Sequence, residues 1–223
     1  KIAKLRTLQQ TDLVYKKQDI ILSAVIPARS NKSADQMKEA LREVVARANQ
    51  AAIGKSEMIA KERGEDFIPP PDNKLVGYIP DNFMDVANEL SRLNGEYIIF
   101  VRAHHHATLG DRFRVELGSP LPNNLVYRQG EVIANRKIDG KADYFAIYDE
   151  LLKIIKNEVS QEAIVKGVFP NPEDKSVGEF DEKELKALAR EIKKINQNVN
   201  VIFFTREKTY VHGPLKLGIK IQQ

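Results

Sequence analysis

Apolar residues along this chain follow two kinds of spacing, and the order of the two kinds is the same in each half of the sequence. Alternating apolar positions predict a β-hairpin over Leu13 to Ile26 and another over Leu125 to Ile138. Each is followed by apolar positions three and four residues apart, which predict an amphipathic helix. A strand, a second helix and two further strands complete each half. The pattern predicts an α+β fold.

Two short sequence matches support an internal duplication of this β-hairpin–helix–strand–helix–strand–strand unit. The ten residues from Leu13 resemble the ten residues from Leu125, and Ile98-Ile99-Phe100-Val101 resembles Val201-Ile202-Phe203-Phe204. Repeats decide the architecture of a chain when they are present. We predict mainly antiparallel or mixed sheets with helices packed on them. Convergence of two unrelated halves on the same pattern is the alternative.

The spacing also predicts where the parts of the chain begin and end. Residues 1–12 are interpreted as the end of an upstream helix or coiled coil, residues 13–118 as the first α+β half and residues 125–223 as the second. Gly54 is predicted to end the first long helix. Residues 55–74, which include three consecutive prolines, are then an exposed proline-rich insert, because proline lacks an amide donor and favours extended backbone.

Capping residues mark two helix starts. Ser33 with Gln36 forms a capping-box pattern, and Asp181 with Glu184 forms a similar one. The apolar run from Ile164 to Phe169 is predicted to be a strand.

Composition excludes several classes of protein. Lysine and arginine are interleaved with acidic residues, so the net charge of +4 does not form the single basic stripe typical of nucleic-acid-binding domains. Cysteine is absent, which excludes disulfides and thiolate metal sites. No apolar run reaches the roughly 18 residues that span a membrane. The chain begins with Lys1, so we interpret it as a piece of a longer protein.

Histidines suggest one candidate for site chemistry. On a strand, His104 and His106 would lie on the same face, and Asp111 or His212 could add a ligand to a divalent metal. The second half has Glu207-Lys208-Thr209 at the corresponding place, so the two halves would not share this site. A solvated loop is the simpler interpretation. We predict no catalytic residue and no cofactor.

The element order from Tyr97 onward also fits a ribonuclease-H-like core, with three antiparallel strands followed by helix, strand, helix and strand. A metal-dependent nuclease of that fold holds acidic residues on its first strand. Tyr97 to Ala103 contains none. Binding or processing of nucleic acid is therefore the alternative function.

Two stretches carry a family resemblance, Leu125 to Ala134 and Thr209 to Leu217, and Asn49-Gln50-Ala51-Ala52-Ile53 fits it too. They are similar to the C-terminal domain of an uncharacterised bacterial family, the "domain of unknown function 3084" proteins. The resemblance implies N-terminal membrane segments, then a long coiled coil, then this domain. It implies a non-enzymatic, soluble interaction head that is membrane-associated through upstream segments, on an undetermined side of the membrane. A protein partner or self-association is the expected mode of action.

Overall fold

Two units make up the chain, residues Lys1–Asn123 and Asn124–Gln223. The computed structural model describes residues 13–29, 32–171 and 176–222. The predicted helix end at residues 1–12 lies outside the described residues.

In its described residues, the first unit contains one long helix, one short helix and seven strands. Its elements are β1 (Leu13–Tyr15), β2 (Ile20–Ala28), α1 (Ala34–Arg63), β3 (Val76–Tyr78), α2 (Pro80–Arg92), β4 (Gly95–Ala103), β5 (Ala107–Thr108), β6 (Phe113–Leu117) and β7 (Leu121–Pro122). The main sheet has the order β2-β4-β6-β3, and β7 also pairs with β4. β3 runs parallel to β6, whereas the other pairs in this sheet are antiparallel.

Helix α1 begins as predicted and ends later than predicted. The side chains of Ser33 and Gln36 accept each other's backbone N–H groups, which confirms the capping box. The helix continues through Gly54 and ends at Gly64, whose φ of 71° is left-handed. Glycine costs a helix interior only about 1 kcal/mol, and the apolar face continues through the buried Ala60. The predicted insert is therefore wrong in its first part, because residues 55–63 are helical.

The second unit repeats the alternation of short strands and helices. Its elements are β8 (Leu125–Tyr127), β9 (Val132–Asp139), α3 (Tyr144–Lys153), a π-helical segment (Ile154–Val159), α4 (Ser160–Lys166), α5 (Glu182–Ile195), β10 (Asn198–Thr205), β11 (Thr209–Tyr210) and β12 (Leu217–Ile221). The three-stranded sheet has the antiparallel order β12-β10-β9. Together with the first unit, this arrangement confirms the α+β prediction.

The predicted strand from Ile164 to Phe169 is wrong. Its first three residues belong to α4, which ends at Gly167 with a φ of 111°. Of the apolar residues that suggested a strand, Ile164 is half-buried beside the buried Ala163 near the end of α4, whereas Val165 is exposed. A short apolar run does not distinguish a buried strand from a helix end. Downstream, Asp181 caps α5 by accepting from the N–H of Lys183, as its position predicted.

Both predicted hairpins are wrong in their pairing, although both turns form. β1 pairs with β5 and β2 pairs with β4, while β8 pairs with β11 and β9 pairs with β10. The turns explain the separation. Gln18 and Gly130 have left-handed φ values of 71° and 78°, and their N–H groups donate to Ala103 at the end of β4 and to Thr205 at the end of β10. Each turn is therefore fastened to a neighbouring strand, and the short strand before it leaves toward another partner.

Equivalent contacts close these turns in the two units. The N–H of Lys16 donates to a carboxylate oxygen of Asp19 at 2.8 Å, and the N–H of Arg128 donates to a carboxylate oxygen of Glu131 at 2.9 Å. A carboxylate that accepts from the N–H three residues earlier satisfies this backbone donor locally. The sequence match between Leu13 and Leu125 thus reports a shared local structure.

A tyrosine–lysine contact also occurs in each unit. The ammonium group of Lys55 lies 3.9 Å from the ring centroid of Tyr15, and that of Lys166 lies 4.1 Å from the ring centroid of Tyr127. Both rings are buried. A cation over a ring face contributes about 0.5–2 kcal/mol, so these contacts help to hold a helix against the short strand.

Each unit has its own apolar core, where helices cover one face of the sheet. Leu41 and Ala48 of α1 are buried in the first core, and Ile147, Leu151 and Phe203 are buried in the second. Full burial of a side chain of this size contributes roughly 1.5–3 kcal/mol. Among the described residues, none of the helices has the length and apolar character required to cross a bilayer.

Candidate functional site

A surface groove of about 390 Å³ lies in the first unit, where the end of the proline-rich segment and the histidine loop approach strands β3 and β6. The polar and glycine residues along it are Asp72, Lys74, Gly77, His105, Arg112 and Arg114. Two of the segments that distinguish the first half of the sequence from the second therefore meet at one place. We call this feature the basic groove.

Parallel pairing of β3 and β6 forms the floor of the basic groove. Val76 pairs with Phe113, and both side chains are buried in the core. Successive side chains alternate between the two faces of a sheet, so the next pair, Gly77 and Arg114, lies on the opposite face. No atom lies within 4 Å of the position that a Cβ of Gly77 would take. The floor beside Arg114 is therefore open.

Asn49 of α1 fixes the loop that leads into β3. Its side-chain oxygen accepts from the N–H groups of Leu75 and Val76 at 2.8 and 3.0 Å, and its side-chain nitrogen donates to the carbonyl of Asn73 at 2.8 Å. Asn49 is buried. Fully bonded buried amides hold a single conformation, so one wall of the groove is rigid. Asn49 belongs to the stretch Asn49 to Ile53 that fits the family resemblance, and in the interior of α1 its role is structural.

Positive charge predominates in the basic groove. Arg112 pairs with Asp72 at 2.8 Å, which leaves Lys74 and Arg114 as the remaining formal charges. Within the described part of the chain, the side chains of Lys74 and Arg114 have no ion-pair partner. Unpaired cations on a rigid surface create a local positive potential that attracts an anionic group.

The histidines of the loop have separate roles. The Nδ1 atom of His104 lies 3.6 Å from the carboxylate of Glu116. The backbone N–H of His104 donates to the backbone carbonyl of Arg114. His106 accepts a hydrogen bond from the N–H of Lys17 at 3.2 Å through Nδ1. Only His105 lines the groove. Sequence reasoning missed it because β4 ends at Ala103, so residues 104–106 do not follow the alternation of a strand.

The predicted metal ligands have other contacts in the structure. The carboxylate of Asp111 accepts the hydroxyl hydrogen of Thr108. His212 follows β11 in the second unit, next to Gly213 in a turn closed by the N–H of Gly213 and the carbonyl of Tyr210. In the described ranges, no group of three or more His, Cys, Asp or Glu side chains is arranged to hold a metal ion. The metal site at His104, His106, Asp111 and His212 stays a prediction without geometric support.

The ribonuclease-H-like order is not the arrangement that the chain adopts. That core requires the strand from Tyr97 and the strand from Val199 in one sheet. Instead, β4 belongs to the main sheet of the first unit and β10 to the three-stranded sheet of the second. The predicted strand between the helices, which this core also needs, is absent from residues 164–169.

The second unit neutralises the position that corresponds to the basic groove. Glu179 forms a parallel bridge with Lys216, as Gly77 pairs in parallel with Arg114. The side chain of Lys216 forms an ion pair with Glu207 at 3.1 Å. The second unit therefore has a glutamate, Glu179, where the first has an open glycine. The absence of a side chain at Gly77 is readable from the sequence, but its position beside Arg114 becomes visible only once the two strands are aligned.

Comparison with known proteins gives one match. Residues 127–223 match the family model described as the DUF3084-associated C-terminal helical hairpin. The match covers nearly all of the second unit, including helices α3 to α5, and it does not include the basic groove. No curated protein and no solved structure matches the chain significantly.

Proposed function

Because residues 127–223 belong to the family of DUF3084-associated C-terminal helical hairpins, we propose that this chain is a non-enzymatic interaction domain. It acts by contact with an acidic segment of another protein, and it ends a membrane-anchored coiled-coil protein. The coiled coil and the anchor rest on the family resemblance alone. The protein contact rests on the basic groove.

The observation that carries the proposal is the difference in charge between these two strand pairs. The second unit pairs the side chain of Lys216 with Glu207 and has Glu179 opposite it in the bridge, whereas the first leaves Arg114 without an ion-pair partner among the described residues, beside Gly77. An isolated fold gains nothing from an unneutralised cation over an open floor. Charge complementarity guides partner choice and association rate more than affinity, so an acidic partner accounts for the retained charge.

We further propose that the two units descend from one duplicated ancestor. The common turn contacts and the tyrosine–lysine contact in each unit support this proposal. Under duplication, the second unit keeps the scaffold role, and the first has diverged toward binding. This division of roles accounts for a site that is present once in a repeated fold.

An acidic protein segment suits the groove better than a nucleic acid does. Among the described residues that line the groove, two cations, Lys74 and Arg114, have no ion-pair partner, and Asp72 lines the groove beside them. Nucleic-acid affinity depends on many simultaneous phosphate contacts, with a salt dependence that grows with their number. Two contacts provide little of that affinity.

Fluorescence anisotropy with the full chain tests the proposal. The probes are labelled poly-L-glutamate and a labelled single-stranded oligothymidine, each titrated at two salt concentrations. We expect saturable binding of poly-L-glutamate that is lost when Lys74→Gln and Arg114→Gln are combined. The matched control combines Arg47→Gln with Lys61→Gln, which removes the same charge from exposed positions of α1, and it should bind like the parent chain.

Two results would contradict the interaction proposal. Equal binding by the groove variant and the control variant would show that net charge, not the groove, attracts the probe. Tighter binding of the oligothymidine, with a salt slope of several charges, would favour the nucleic-acid alternative.

A further inference from the structure

The positive side chains of the basic groove are arranged in a row with a defined spacing. Arg112 and Arg114 are two residues apart where β6 begins, and Phe113 between them points into the core. In an extended chain, alternate residues lie on one face and are separated by about 6.6 Å. The two guanidinium groups therefore rise from the same side of the sheet.

A negative charge limits the row formed by Arg112 and Arg114 at one end. Glu116, the next residue on that face, is near His104 and accepts a hydrogen bond from Gln18 at 3.4 Å. A negative charge at this position repels an acidic ligand that extends further along β6. The favourable part of the groove thus accommodates a short stretch of chain next to the open floor at Gly77.

From this geometry, and resting on the interaction function proposed above, we propose that the basic groove binds an extended segment with Asp or Glu at alternate residues. In such a segment, carboxylates at i and i+2 share one face and the same spacing of about 6.6 Å as Arg112 and Arg114. Neighbouring acids at i and i+1 point to opposite faces, so only one of them reaches the row. Guanidinium groups favour carboxylates through paired, planar hydrogen bonds.

Asp72 controls the strength of this binding. Its carboxylate holds the guanidinium of Arg112, whose side chain is 61% exposed and therefore still accessible to a ligand. The same carboxylate repels an incoming acidic group. Asp72→Asn keeps an oxygen that accepts from the N–H of Lys74 and removes the repulsion. We expect this substitution to tighten binding severalfold, in contrast to the losses expected elsewhere in the groove.

The test uses the full chain and two labelled peptides of identical composition. In one, glutamate and serine alternate; in the other, glutamates occur in adjacent pairs separated by paired serines. We expect the alternating peptide to bind the parent chain about fivefold more tightly, the ratio that one surface ion pair provides. Arg114→Gln should remove this preference, whereas Arg47→Gln should keep it.

Gly77→Val provides a second variant that tests the floor of the groove. Valine favours strands, and no atom obstructs a Cβ at this position, so the fold should be kept, as circular dichroism and urea unfolding will verify. The valine side chain occupies the open floor. Binding of the alternating peptide should fall at least tenfold.

The outcomes separate this inference from the interaction function. Equal affinity of the two peptides, with poly-L-glutamate still bound at the groove, would overturn the alternating register and leave the interaction function standing. Complete competition by inorganic phosphate at low millimolar concentration would overturn it in favour of a phosphate site. Absence of binding by every acidic probe would overturn both.

Discussion

The two units differ most where their parallel strand contacts are most alike. In the first, Gly77 lies beside Arg114, whose guanidinium has no ion-pair partner in the described chain; in the second, Glu179 lies beside Lys216, whose side chain forms an ion pair with Glu207. The turns and the tyrosine–lysine contacts, by contrast, occur in both units. The scaffold contacts are therefore common to the units, while the unpaired charge at this strand pair belongs to the first.

The largest expected effect concerns a tightly packed turn of the second unit. Gly140 follows β9, where Arg29 follows β2 in the first unit. A Cβ on Gly140 would lie 2.8 Å from the carbonyl oxygen of Ile192 and even closer to that of Gln197. Both obstacles are backbone atoms, which cannot move aside as a flexible side chain can. We expect Gly140→Ala to lower the free energy of unfolding by about 3 kcal/mol.

Urea unfolding measures this loss, and hydrogen exchange assigns it to a unit. Gly54→Ala is the matched control, because no atom lies within 4 Å of its Cβ position on α1. Alanine is the better helix former, so this control should raise stability by up to about 1 kcal/mol. An unchanged free energy of unfolding for Gly140→Ala would show that the turn is not as tightly packed as the structure indicates.

A smaller effect is expected at Asn49, whose side-chain bonds to the loop before β3 we call the clamp of the basic groove. Asn49→Ala leaves the buried N–H groups of Leu75 and Val76 without an acceptor. Unsatisfied buried donors cost about 1–3 kcal/mol each in mutational data, so we expect a loss of about 2–3 kcal/mol and faster hydrogen exchange at these two amides.

Ser160 provides the comparison in the second unit. It precedes Lys166 by six residues, as Asn49 precedes Lys55, and it is also buried. Because the side chain of Ser160 forms no bonds to a loop backbone among the residues that the structure describes, Ser160→Ala should cost less than about 1 kcal/mol. Similar losses for both variants would contradict the view that the clamp serves the groove.

The smallest expected effect tests the tyrosine contact of the second unit at high pH. Burial raises the pKa of Tyr127 to about 12, and the nearby carboxylates of Glu162 and Glu131 add to the shift. The folded state holds the phenolic proton more tightly than the unfolded state, whose tyrosine titrates near pH 10. The stabilisation is therefore complete below pH 10 and is lost as the pH rises from 10 to 12. It amounts to about 2 kcal/mol.

Tyr127→Phe should remove this part of the pH dependence, as measured by urea unfolding at pH 8, 10 and 12. The variant should be at least as stable as the parent at pH 8, because the Tyr127 hydroxyl is buried and has no hydrogen-bond partner among the described residues. Tyr210→Phe, at a more exposed position of the same unit, controls for the chemical change at pH 8. Equal pH slopes for the parent and Tyr127→Phe would exclude Tyr127 as the source.

Much of the local structure follows from residues that are close in the sequence. The Ser33–Gln36 box and Asp181 begin their helices as predicted, because a cap is made by residues within four positions of each other. The wrong predictions concern positions whose secondary structure depends on packing against residues that are distant in the sequence. Gly54 suggested a helix end, but burial of Ala60 in the core extends α1 beyond it. Apolar spacing predicted a strand at Ile164, yet the residues complete a helix that is buried along Ala163.

The candidate site was harder to predict than the fold. The sequence singled out the histidine loop and the proline-rich segment, but for different reasons and without a connection between them. Arg114 belongs to the basic residues that are interleaved with acidic ones in the sequence, and the pattern did not single it out. Its isolation depends on Gly77, which is 37 positions away in the printed sequence. The residues around Arg114 in the sequence do not indicate that its neighbour on β3 is a glycine without a side chain.

By itself, the sequence determined the α+β composition and the helix caps, because these depend on short-range spacing and backbone hydrogen bonding. Only the tertiary structure decided which strands pair, how far α1 extends and which cations remain unpaired. Pairing and neutralisation involve groups that are far apart in the chain. Their free energies depend on burial and on distance in space.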